Sequence, residues 1–127
     1  MSKIIRTVNT MIQNPHKIIH IIRKEDEYFF LYNKKYKWSI SKSESGAIGE
    51  LVYYLNYYPG EITIEKLSEI EVYEWESHDF ISYNTKELKS REAKESFLEL
   101  YRILKEKIYN MDKVFDEIIK DGEEDPF

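Results

Sequence analysis

At 127 residues, 42% hydrophobic and 34% charged, the chain has the size and composition of one folded domain rather than a disordered segment. It contains no cysteine, which excludes disulfides, thiolate metal ligands and a thiol nucleophile. The net charge of −5 disfavours nucleic-acid binding, and it is unevenly spread: residues 1–60 hold nine Lys/Arg and five Asp/Glu, residues 61–127 ten and nineteen.

No apolar run is long enough to span a membrane, and residues 1–10 lack the apolar core of a signal peptide. A cytoplasmic protein is therefore expected. Lysine outnumbers arginine, and Ile, Tyr and Asn are frequent, as in proteins from AT-rich bacterial or phage genomes.

Ile4, Ile5, Val8, Met11 and Ile12 recur at helical spacing and predict a short helix from Ser2 to Gln13. Asn14-Pro15 should stop it, because the residue before proline avoids the helical region. Four isoleucines in residues 17–23 favour a strand, with a helix begun at Pro15 as the alternative. Residues 24–26 form a turn, and residues 27–33 read as a strongly apolar second strand. After a turn at residues 33–35, Tyr36, Trp38 and Ile40 alternate with Lys35, Lys37, Ser39 and Ser41, the pattern of a third strand.

Residues 42–50 read as a loop. Leu51, Val52 and Leu55, with Ile48 before them, fit a helix face. Four tyrosines in residues 51–58 favour a fourth strand instead, stopped by Pro59-Gly60. Thr63 is placed to cap a single turn over residues 64–69. Residues 72–75 and 80–83 read as a broken strand or a hairpin.

The strongest pattern lies at the end. Phe97, Tyr101, Leu104, Ile108, Met111, Phe115 and Ile118 are spaced four and three alternately, which predicts a long amphipathic helix. It should start after Asn84-Thr85 or Ser90 and end at Gly122, with Asn110 a candidate interruption. Residues 123–127 are expected to be a disordered acidic tail, leaving residues 1–122 as the domain. A dimeric coiled coil would want charged flanks beside the seam. Leu98, Leu100, Val114 and Ile119 widen the seam instead, so packing on the protein's own sheet is favoured. The expected fold is α+β: an antiparallel meander of four to six strands covered by a long C-terminal helix, with a short N-terminal helix.

Tyr36, Trp38, Ile40, Leu51, Tyr53, Leu55 and Tyr57 should share the covered face. Tyr54 and Tyr58, with Lys35 and Lys37, are then expected on the outer face. Tyrosine is favoured at protein interfaces because it brings contact area with little entropy loss. The first expectation is thus a non-enzymatic interaction protein (adaptor, inhibitor or immunity-type). It would bind a protein partner through that Tyr-rich face or the acidic helix face, with homodimerisation left open.

Three rival readings follow from other residues. A cavity lined by Tyr36, Trp38, Tyr53 and Tyr57 would suit a small-ligand sensor. Glu74, Glu76 and His78 alternate, so on a strand they share one side and could hold a divalent metal for a hydrolase; a solvated acidic edge accounts for them more simply. Tyrosine beside lysine could also bind a nucleic-acid single strand. His16 and His20 lack a nearby carboxylate upstream, and no phosphate-cradling or nucleophile-elbow motif is present. No cofactor is expected.

Overall fold

In the computed structural model, which describes residues 2–44, 49–71, 74–75 and 78–124, the chain is α+β. Helix α1 (Lys3–Gln13) is capped by Ser2, whose Oγ accepts from the Ile5 N–H at 3.3 Å. Strands β1 (Ile18–Lys24), β2 (Glu27–Tyr32), β3 (Tyr36–Glu44), β4 (Leu51–Tyr57) and β5 (Ile81–Asn84) pair antiparallel in chain order. Asn33 and Lys34 turn the chain between β2 and β3 in left-handed conformation. Asparagine tolerates this because its side chain is short and polar. The strand reading of residues 51–58 is borne out.

Trp38 pairs with Tyr57 and Phe30, and Ile40 with Leu55 and Tyr28. Directly opposed residues share a face, so one face of the sheet is almost wholly apolar. Helices α1 and α4 (Arg91–Ile108) cover it, with Val8, Met11, Phe97, Leu100, Tyr101 and Leu104 in the same core. The Tyr101 ring meets Tyr28 edge-on at 5.1 Å, and its hydroxyl donates to the Asp26 carbonyl at 3.1 Å. The first half of the helical seam therefore packs as expected.

The second face is not open. The connection from β4 to β5 carries α2 (Ile64–Glu69) beneath β1 and β2. Thr63 caps α2, its Oγ1 accepting from the Lys66 N–H at 3.3 Å. Ile64, Leu67 and Ile70 pack with Phe29 and Tyr58 in a second core.

Both helix-start signals in residues 84–90 act. Asn84 caps α3 (Thr85–Leu88), Lys89 ends it in left-handed conformation, and Ser90 caps α4. Thr85 Oγ1 also accepts from the Tyr53 N–H at 3.1 Å, tying this corner to β4. Glu74 and Trp75 sit in a helical turn, not a strand; residues 72–73 lie outside the described ones. Helix α5 (Met111–Glu124) runs through Gly122, so the expected stop there is corrected. A lone glycine costs a helix about 1 kcal/mol, and Gly122 does not take the left-handed conformation that ends one.

A candidate docking face on the C-terminal arm

The seam is longer than the sheet is wide. Five strands span about 19 Å from first to last, whereas the eighteen residues of α4 extend about 27 Å. Helix α4 meets β4, β2 and the edge strand β1, and by Ile108 it has crossed the sheet. Tyr109 caps it and Asn110 turns left-handed, with φ of 53°. Helix α5 leaves from that turn as an arm whose main contact is with α4.

The rhythm of apolar residues continues along the arm with no sheet beneath it. Ile108, Val114, Phe115, Ile118 and Ile119 are exposed, Phe115 by 46% and Ile118 by 65%. A contiguous apolar stripe on a small domain marks an interaction surface, since water otherwise covers it at a cost. Asp112, Lys113, Asp116, Glu117, Lys120 and Asp121 occupy the other positions of α5 up to Gly122, and Glu123 and Glu124 end it.

A groove of about 880 Å³ opens at the base of the arm, between β1 and the α4–α5 junction. Its apolar lining comes from Ile18, Ile19, Ile21, Ile103, Ile108 and Met111. The β1 side is shaped by a bulge: register slips between Ile19 and Ile22, and His20 has φ of 58°. A bulge blunts an edge strand against further strand pairing. His20 Nε2 meets the Glu65 carboxylate of α2. Glu65 is held below the ordinary carboxylate range, first by its own backbone hydrogen bond and then by His20.

The residues expected to bind a partner on the sheet are placed differently. Tyr58 is only 2% exposed, because α2 covers the face where an open surface was expected. Its ring lies 6.0 Å from Phe29 and 5.6 Å from Trp75. Tyr54 is half-buried on the same face. Lys37 is occupied, its Nζ donating to the carbonyls of Gly60 at 2.5 Å and Ile62 at 2.8 Å. Lys35 is exposed, with its Nζ 4.8 Å from the Tyr36 ring centre.

Nor do the four residues of the expected cavity line one space. Tyr53 is buried against Tyr101, rings 5.7 Å apart, and Trp38 packs on Tyr57 at 4.8 Å. Tyr36 is exposed at the strand end. Among the described residues, Trp38 Nε1 is buried with no hydrogen-bond acceptor. Of the weak metal candidates, Glu76 lies outside the described residues, while the His78 ring sits edge-on to Trp75 at 6.2 Å. Among the described residues, no group of three His, Asp or Glu is arranged to hold a metal ion.

One polar cluster escaped the sequence reading. Ser39 Oγ donates to Glu27 Oε2 at 2.6 Å, and the Tyr58 hydroxyl and Asn56 Nδ2 reach the same Oγ at 2.7 and 3.2 Å. Burial raises the Glu27 pKa despite these partners and nearby Lys24. The Tyr58 pKa is raised too, by burial and then by the Glu27 charge. Only the alternation of Ser39 with Trp38 and Ile40 hinted at it, by placing Ser39 on the second face.

No protein-family model, curated protein or solved structure matches the chain. Among the described residues, no helix is long and apolar enough to cross a membrane.

Proposed function

We propose that this is a non-enzymatic cytoplasmic binding protein that docks a protein partner through the arm α5 and the groove at its base. One observation carries the reading: an acidic amphipathic helix presents Val114, Phe115, Ile118 and Ile119 of its apolar stripe to solvent. The body, with two cores and a covered sheet, holds that helix out. Amphipathic helices and hydrophobic grooves are a recurrent recognition pair. The apolar stripe of the arm, rather than the sheet tyrosines or the acidic helix face, is the proposed contact, and an adaptor, inhibitor or immunity-type protein remains the class it suits.

The test is photo-cross-linking in the native host. A benzophenone amino acid at Phe115 should yield adducts with protein, and the same probe at Lys113, on the polar side, should not. Equal labelling at the two positions, or none at Phe115, overturns the reading.

A further inference from the structure

The arm needs a cover, and the chain itself carries a surface of matching character. We infer that the partner is a second copy of this chain, with α5 of each copy lying in the groove beside β1 of the other. This rests on reading the arm as a docking face.

Charge selects the occupant. Residues 1–24, which include α1 and the β1 wall of the groove, carry five lysines and arginines and no acidic residue. Residues 111–127 carry two lysines and seven acidic residues. Lys17 stands beside the β1 wall of the groove; the opposite wall, at the α4–α5 junction, carries Glu106, Lys107 and Asp112, so the basic character belongs to the β1 side. An acidic arm approaching this strand meets complementary charge, whereas a second acidic arm meets repulsion.

The width of the stripe points the same way. Val114 and Ile119 broaden it on both sides of Phe115 and Ile118. A two-helix coil between arms would leave those flanks wet; a groove with two walls covers them.

Continuity supports exchange rather than stacking. Met111 belongs to both the groove lining and the arm, so an arm seated in the groove also touches the base of its partner's stripe. Reciprocal exchange is isologous, doubles the contact and closes a dimer with no stripe left over. A stable interface buries roughly 800 Å² per partner. Each copy here contributes both an arm and a groove toward that area.

The absence of cysteine makes the test direct. One full-length chain carries Ile19→Cys, another Ile118→Cys or Val114→Cys; all three positions are exposed. Mixed and gently oxidised, the two chains should form a disulfide between unlike copies. The parent chain should run by light scattering at twice 15.4 kDa. Phe115→Asp should return it to monomer, and added salt should weaken the dimer.

A monomer at every concentration overturns the inference. So does a dimer linked only between like arms. Fold-back of the arm also overturns it, seen as an internal disulfide in a monomeric Ile19→Cys/Ile118→Cys chain. A monomer whose Phe115 still cross-links to a different protein in cells removes self-pairing and leaves the docking face. A monomer without such adducts removes both.

Discussion

Arg23 Nη1 donates to the Tyr109 hydroxyl at 2.5 Å, joining the edge strand to the residue that ends α4. The guanidinium also donates from Nε to the Glu25 carbonyl just past the strand, at 2.9 Å, and lies 6.0 Å from the Tyr28 ring centre. These contacts fix the point from which the arm departs. Tyr109→Phe deletes only the hydroxyl. Because the bond is exposed, stability should fall by less than about 1 kcal/mol. Amide exchange over residues 109–115 should quicken measurably. Unchanged exchange there would show that the bond does not hold the junction.

Phe97 and Phe115 lie on one seam, yet one is fully buried and the other is nearly half exposed. Phe97→Ala should cost about 3–5 kcal/mol, by lost transfer and a cavity among Met11, Leu100 and Tyr101. Phe115→Ala in dilute solution should stay within about 0.5 kcal/mol of the parent. Chemical denaturation of both variants reads the difference. Equal losses would mean that the arm packs on the body in solution.

That contrast also marks how far the sequence could be read. Four-and-three spacing from Phe97 to Ile118 states that a stripe exists and which residues form it. It is blind to what lies below, which depends on sheet width and on where α4 crosses. That Trp38, Ile40, Leu55 and Tyr57 share a face was legible, because alternation assigns faces; their register, Trp38 against Tyr57 and Ile40 against Leu55, was not. The burial of Tyr58 was not. Alternation put it on the second face correctly, but the cover arrives from a distant connection. Thr63 was legible as a cap; the spacing of Ile64, Leu67 and Ile70 was the available sign that the turn behind it needed a partner. The bulge at His20 left no local mark, since no glycine or asparagine stands there.

Glu27 makes stability depend on pH in an unusual direction. Its folded pKa is raised above 4.5, chiefly by burial. Below the unfolded value both states hold the proton and no penalty applies. As pH rises through the folded value, the native state must carry a buried charge, and stability is lost. Glu27→Gln should therefore raise the melting temperature at pH 7. Glutamine keeps an oxygen for the Ser39 hydroxyl. The advantage should vanish by pH 4. A Gln variant that is less stable at pH 7 than the parent would show that the cluster favours the carboxylate.

Ser90 caps the helix that covers the sheet, its Oγ accepting from the Ala93 N–H at 3.0 Å. Ser90→Ala leaves that donor without its partner and should cost about 1 kcal/mol. Ser90→Asp keeps an acceptor and places a negative charge at the helix start, so it should match the parent or exceed it. Thermal melts of the pair separate capping from any general intolerance of the site.

Asn110 decides the aim of the arm. Its left-handed backbone, φ 53°, separates α4 from α5. Glycine adopts that conformation freely, whereas a residue with a Cβ is strained there by roughly 1–2 kcal/mol, less for asparagine. Asn110→Gly should fold with stability within about 0.5 kcal/mol of the parent. Asn110→Ala should lose about 1 kcal/mol, because alanine lacks the short polar side chain that suits asparagine to this turn. Its strong helix propensity also pulls the junction toward a straight rod. If Asn110→Ala is instead as stable as the parent, the helix runs unbroken in solution, and the arm then points along α4 rather than past the groove beside β1.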